Sequence, residues 1–309
     1  MRFKFLRKKK KKETFQPTQE PEVLMREIDA NVKKLMDAFR FILKYRILLR
    51  GRGIEFAGLR EYTQHDDASL IDWKSSVRLN KLYVKQFEEE RDLDVFILLD
   101  TSSSMLFGTT NQTKSEYAAV LAGTFAYAGV TIGDNVGLGL FSDEVKVFVP
   151  PMPGPDQYFK ILDVLVNPKM YGGDCNLTEA LNFCVENLRT KTILFVISDF
   201  IGAGKAWKDP LKSLCGKLER VFGLMVRDIR DTFLPEGVGL IRFSDPYTGK
   251  TLVVNIDKVK DEFKRLAKRQ ETEVETEFIS SGAHFIKIYT IDPFVIPLVK
   301  YFNIMFRGV

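Results

Sequence analysis

The chain has 309 residues, 45% of them hydrophobic and 28% charged, with a formal net charge of +5, so it can bury a sizeable core. Its three cysteines, Cys175, Cys184 and Cys215, are odd in number and lack metal-ligand spacing, which argues against a disulfide scaffold and fits a reducing compartment. No apolar run is long enough to cross a bilayer, and the basic N-terminus lacks an apolar signal core, so a cytoplasmic protein is expected.

Residues 1–21 read as a basic disordered tail and linker. Arg2, Lys4, Arg7 and Lys8 to Lys12 supply eight positive charges with no acid before Glu13, so the remaining chain is net negative. Such a tail can contact nucleic acid or an anionic membrane weakly, with Phe3, Phe5 and Leu6 available to insert. Pro17 and Pro21 mark the linker. Residues 22–91 form a helix and loop/strand module. Met25, Ile28, Val32, Leu35, Phe39 and Ile42 recur at spacings of three and four, a helical apolar seam. Gly51 and Gly53 end it. A polar and aromatic stretch follows, read as a charge-paired loop module, with a strand-like alternation over Leu82–Phe87.

From residue 92 to 309 the pattern is that of an α/β domain. Strands are predicted over Leu93–Leu99, Val136–Phe141, Val145–Val149, Thr192–Ile197, Val221–Val226 and His284–Tyr289. Helices are predicted over Ser115–Thr131, Asp156–Val166, Leu177–Leu188, Trp207–Lys217, Lys258–Ile279 and Pro293–Phe302. Most of these strands are apolar throughout, as in a mostly parallel sheet with helices on both faces. Val145–Val149 follows a tight turn and is expected to be an antiparallel edge. Residues 239–256 read as a hairpin around Pro246-Tyr-Thr-Gly249.

The chemistry concentrates at strand ends. Asp100-Thr-Ser102-Ser-Ser104-Met105 follows the apolar run Val95–Leu99 and offers one carboxylate and two hydroxyls at alternate positions. Hard oxygen donors in this pattern suit Mg²⁺ or Mn²⁺. The run Thr192–Ile197 ends in Ser198-Asp199, so a second carboxylate leaves a second strand at the same kind of end. If the two strands are neighbours, Asp100 and Asp199 converge on one crevice, where open α/β sheets place their ligands.

These residues also carry a resemblance. The strand followed by Asp-x-Ser-x-Ser-Met, the alternating helices and strands and the later Asp199 resemble a von Willebrand factor A-like (Rossmann-like) domain. The preceding segment reads Gly51-x-Gly53-x-Glu55-Phe56, Leu59-Arg60-x-Tyr62, Asp66-Asp67, Ile71-Asp72-Trp73, Ser76-x-Arg78 and Leu82-x-Val84-Lys85-x-Phe87-Glu88-x-Glu90. With the Asp100 motif it resembles the bacterial and archaeal family catalogued as domain of unknown function 58. The resemblance implies a metal-ion-dependent adhesion site (MIDAS) of five residues. Asp100, Ser102, Ser104 and Asp199 match four of them. For the second-loop hydroxyl, Asp174 or Cys175 takes the position depending on alignment, and Thr178 lies later, in the first turn of a helix. The resemblance further implies an adaptor role beside a MoxR-type AAA+ ATPase and an unknown client, without an established reaction.

An enzyme is not expected. An aspartate-nucleophile phosphohydrolase would want a second acid two residues after Asp100, where Ser102 stands. No phosphate-cradling Gly-x-x-x-x-Gly-Lys-Ser/Thr loop is present, and the two histidines, His65 and His284, form no pair with a serine in the sequence pattern. A Mg²⁺-dependent phosphohydrolase is the alternative function, with nucleic-acid or anionic-surface binding through the tail as a third.

Overall fold

The structure, a computed structural model, describes residues 54–63, 66–89 and 93–307. The basic tail, the linker, the helical seam Met25–Ile42, the Gly51/Gly53 break and His65 lie outside these residues.

The first described unit is a two-stranded antiparallel sheet of β1 (Ile54–Glu61) and β2 (Tyr83–Glu89). Between them runs the short helix α1 (Trp73–Leu79). The sequence reading placed a polar loop over both β1 and α1. Its error has a physical cause. The pairing shifts register between Phe56 and Gly58, and such a bulge breaks the period-two pattern by which a strand is read. Helix α1 buries only Ser76 and leaves Trp73 and Val77 exposed, so it has no apolar stripe. Its ends carry it instead. The Asp72 side chain accepts from the Ser75 N–H at 3.0 Å, and Asn80 closes the helix in the left-handed region.

The main body holds a six-stranded sheet in the order β10-β7-β6-β3-β4-β5. The strands are β3 (Asp94–Asp100), β4 (Asn135–Phe141), β5 (Val145–Met152), β6 (Thr192–Ser198), β7 (Arg220–Arg227) and β10 (His284–Tyr289). All neighbours are parallel except β5, the expected antiparallel edge. Six helices flank the sheet: α2 (Lys114–Ile132), α3 (Pro155–Leu165), α4 (Leu177–Asn187), α5 (Lys208–Lys217), α6 (Ile256–Ser280) and α7 (Val295–Arg307).

Strand parity sorts the core. Val95, Ile97 and Leu99 of β3 point to the face covered by α2, α3 and α7, where Phe125, Leu162 and Leu298 are buried. Phe96 and Leu98 point to the opposite face and meet Leu181 of α4, Leu214 of α5 and Phe278 of α6. Burial on both faces is why these strands read as unbroken apolar runs. Gly223 of β7 follows from the same packing, since a Cβ there would lie 2.5 Å from the Phe278 ring.

Strands β8 (Leu240–Ser244) and β9 (Thr251–Asn255) pair with each other and not with the central sheet. The Asp245 carboxylate tightens their turn by accepting from the N–H groups of Tyr247 and Thr248, each at 2.8 Å. This hairpin stands beside the C-terminal ends of the parallel strands. There β3 has β4 on one side and β6 on the other, so the chain order reverses about β3. That reversal opens a crevice at the strand tips.

Candidate functional site

Register brings the two carboxylates together. Leu99 pairs with Ile197, so Asp100 leaves β3 beside Ser198 and Asp199 of β6. The Asp100 Oδ1 accepts from the Ser102 N–H at 2.8 Å, which bends the chain sharply after the strand. Its Oδ2 accepts from the Ser198 hydroxyl at 2.5 Å. The Ser102 and Ser104 hydroxyls lie 3.3 Å apart. Ser104 donates to Asp199 Oδ1 at 3.1 Å, and the Ile201 N–H donates to the same oxygen at 2.8 Å. The structure thus gathers Asp100, Ser102, Ser104 and Asp199 in one cluster, and all four are buried. Phe200 follows with φ of 56°, a left-handed turn that lets its N–H return to the Ser198 hydroxyl at 2.8 Å.

Burial first, and then the neighbouring Asp199 carboxylate, push the Asp100 carboxyl up to about 6. Two buried carboxylates in one cluster call for positive charge nearby.

Part of that charge is built in. Lys114, 1% exposed, donates from Nζ to Asp199 Oδ2 at 2.7 Å and to Asp231 Oδ2 at 2.8 Å. Burial opposes its charge, but Asp199 and Asp231 outweigh that and hold the ammonium above the ordinary lysine value. Asp231 also caps the turn after β7 by accepting from the Asp228 N–H at 3.0 Å. Two carboxylates therefore hold one buried ammonium.

The second loop, residues 172–176, packs on the Asp100 turn through three hydrogen bonds, the first from the Gly172 N–H to the Thr101 carbonyl at 2.7 Å. The Ser103 N–H donates to the Gly173 carbonyl at 2.9 Å, and the Gly173 N–H donates to the Ser103 hydroxyl at 3.0 Å. The residue this loop turns inward is Cys175, whose thiol reaches Asp100 Oδ2 at 3.6 Å. Asp174 is exposed, and Thr178 sits in the first turn of α4 with no hydrogen bond to the cluster. Of the alternatives weighed for the second-loop position, Cys175 is the one that faces Asp100. Burial, then Asp100 and Asp199, drive its thiol well above the ordinary cysteine range, so it stays protonated and donates.

Over the cluster lies Tyr247, from the turn of the β8–β9 hairpin. Its hydroxyl donates to the Ile201 carbonyl at 2.7 Å and stands beside the Ser102 and Ser104 hydroxyls. Its ring rests on Gly202, where φ is +79° and a Cβ would come within 2.8 Å of the ring. Gly202 thus serves both the turn and the close approach.

The donor set fits a small hard cation. Neighbouring oxygens around Mg²⁺ bound at 2.0–2.1 Å stand about 3 Å apart, close to the observed Ser102–Ser104 separation. Ser102, Ser104, Asp100 and Asp199 are the residues that would hold it. Among the described residues no three His, Cys, Asp or Glu side chains gather tightly enough to form a metal cage, so the hydroxyls are indispensable to any such site.

Sequence reasoning missed Lys114, Ser198, Asp231 and Tyr247. A signal existed for Lys114. It is the first residue of α2, directly after the N-cap Thr113 and inside the Thr113–Glu116 capping box, and a cation at a helix N-terminus opposes the dipole. A lysine there asks for carboxylates in space. Tyr247 left no such trace, because only the fold carries the hairpin turn onto the crevice.

The sequence profile of the family described as "Protein of unknown function DUF58" matches residues 58–273. Uncharacterized protein Rv1480 of Mycobacterium tuberculosis is 26% identical over 266 residues, covering 84% of this chain and 82% of that protein. Uncharacterized protein YeaD of Bacillus subtilis is 32% identical over 104 residues, covering 34% of this chain and 24% of that one. Among solved structures, the conserved hypothetical protein BatB from Bacteroides thetaiotaomicron superposes with a TM-score of 0.47 at 16% identity, covering 70% of this chain and 99% of that chain.

Proposed function

The chain belongs to the DUF58 family, and from that premise we propose that it is a non-enzymatic protein-interaction factor whose oxygen-lined crevice is completed by an acidic side chain of a partner. The convergence of Asp100, Ser102, Ser104 and Asp199 from two strand tips is the observation that carries this reading. When bound there, Mg²⁺ or Mn²⁺ supplies positive charge with an open coordination position that a foreign carboxylate can fill. The chain's own residues prepare the place. Ser102 and Ser104 present neutral hydroxyls, so little of the cation's charge is cancelled. Ser198 and the Ser102 N–H fix the Asp100 carboxylate. Lys114 holds Asp199 through one oxygen and leaves the other facing Ser104. Tyr247 lies over the cluster, where the partner's carboxylate would arrive, so docking would require the hairpin to give way.

The reading against catalysis rests on what surrounds Asp100. Its near neighbours are hydroxyls, a protonated thiol and Asp199, with Ser102 where a phosphohydrolase would want an acid. His284, the histidine among the described residues, begins β10 and stacks on Phe222, away from the strand tips that form the crevice. The resemblance of the Asp100 motif and its upstream segment points to a MoxR-type AAA+ ATPase as partner, with remodelling of a client complex as the outcome. A cytoplasmic location accords with this, and no helix among the described residues is long and apolar enough to cross a membrane.

The test is retention of a MoxR-type AAA+ ATPase on the immobilised full chain. Retention in Mg²⁺ that is lost in chelator and in Asp100→Ala is expected. Equal retention in all three conditions contradicts the proposal, and Mg²⁺-dependent phosphatase turnover lost in Asp100→Asn would favour the enzymatic alternative.

A further inference from the structure

A cleft of about 1390 Å³ opens beside the crevice, walled by α6, by the β8–β9 hairpin and by the loop after β6. It is wider than the few hundred to about 1,000 Å³ of an ordinary small-molecule pocket. Ser104 and Lys114 lie at its inner end, so it runs directly into the cluster around Asp100. Its walls are apolar. Ile241 and Phe243 of the hairpin face Leu234, Phe263 and Leu266, and Leu266 is 42% exposed.

The charges along the cleft do not balance. Lys114 is paired with Asp231, Lys208 with Glu277 and Arg269 with Glu273. That uses the three acids that line it. Lys205, Arg230 and Arg242 also line it and form no ion pair with a carboxylate among the described residues. Behind the wall, Arg227 is 2% exposed, bonded to Gln270 and otherwise without a hydrogen bond at Nε. Gln270 itself lines the cleft and donates to the Phe200 carbonyl at 3.0 Å. A buried guanidinium with a free donor is costly to leave unanswered, and Lys205 and Arg242, exposed on the cleft wall, add positive charge that an arriving anion can meet. The excess is local, because the chain beyond its basic first twelve residues is net negative.

We infer that this cleft seats an acidic, apolar segment of a partner protein, its leucine-like side chains against Phe243, Phe263 and Leu266 and its carboxylates beside Lys205, Arg230 and Arg242. The inference rests on the reading of the chain as a protein-interaction factor and names the chemistry of the partner. It does not require the cation. Apolar walls supply the buried area and the unpaired cations select the sign of charge, a division common to specific interfaces.

The test uses a fluorescein-labelled twelve-residue peptide of alternating glutamate and leucine, the same peptide with lysine for glutamate, and phosphatidylglycerol vesicles. Fluorescence anisotropy and vesicle co-sedimentation are read on the full chain in chelator. Saturable binding of the acidic peptide is expected, with at least about tenfold weaker affinity in Lys205→Glu/Arg242→Glu and in Leu266→Glu. Lys160→Glu, on the opposite helical layer, keeps the affinity. Absence of saturable binding, equal affinity for the lysine peptide or indifference to the charge reversals overturns the inference. Vesicle binding that the reversals abolish, without peptide binding, also overturns it and assigns the cleft to anionic lipid. Acidic-peptide binding that appears only with Mg²⁺ and is lost in Asp100→Ala, yet survives the reversals, leaves the cation reading intact and removes the cleft from it.

Discussion

The crevice at the tips of β3 and β6 and the cleft beside it share Ser104 and Lys114 but are built on opposite principles. In the crevice, buried polar groups answer one another. Asp100 takes two hydroxyl or amide donors, Asp199 takes three donors, and Lys114 is held between two carboxylates. In the cleft, apolar side chains are open to solvent and cations wait without acids. Saturation makes the first rigid and selective for something small. Incompleteness makes the second suited to something large that brings its own apolar and acidic groups.

Removing the charge that holds the crevice together has the largest expected effect. Lys114→Met leaves Asp199 and Asp231 buried without their ammonium, and should cost about 3–5 kcal/mol in denaturant unfolding. A loss under about 1 kcal/mol would mean the cluster is not the closed network described here.

Next comes the pH dependence of Asp100. Its folded carboxyl titrates above the unfolded value of 3.8, so the native state binds that proton more tightly. The resulting stability is fully present below 3.8 and is lost as pH rises to about 6. Relative to Asp100→Asn, the chelated wild type should therefore lose on the order of 3 kcal/mol across that window. Mg²⁺ should reduce the loss by favouring the ionised carboxylate. Parallel stability curves for wild type and Asp100→Asn in chelator would contradict this electrostatic account.

Smaller effects probe the boundary between the two regions. Tyr247→Phe removes the hydrogen bond to the Ile201 carbonyl and should cost about 1 kcal/mol, while making Mn²⁺ entry faster in stopped-flow mixing. Gly202→Ala adds a methyl group against the same ring at a positive φ, and should cost about 1–3 kcal/mol with the same gain in entry rate. Unchanged entry rates in both variants would show that the hairpin does not cover the crevice. The least effect is expected from Lys205→Glu, which should leave the unfolding midpoint in place while weakening acidic-peptide binding.

The contrast between the regions also explains what the sequence disclosed. The strands around the crevice are legible because both faces are buried, and Asp100-x-Ser102-x-Ser104 is contiguous in the chain. Asp199 was legible for the same reason, as the residue that ends an apolar run. The partners that close the network were not. Lys114, Asp231 and Tyr247 come from three separate segments, and only the strand order of the sheet brings them to Asp199. The cleft was invisible, since its walls are scattered, partly exposed apolar positions such as Phe243, Phe263 and Leu266 that any solvated helix or hairpin can carry. Strand β1 was hidden by its bulge, and α1 by its lack of an apolar face.

Calorimetric titration of the full chain with Mn²⁺, wild type against Asp100→Ala, bears most directly on the central claim. One saturable site in the wild type is predicted, with affinity at least about tenfold weaker in the variant while its far-ultraviolet circular dichroism is unchanged. Equal Mn²⁺ affinity in the two folded proteins, or none in either, would contradict a cation site at the tips of β3 and β6.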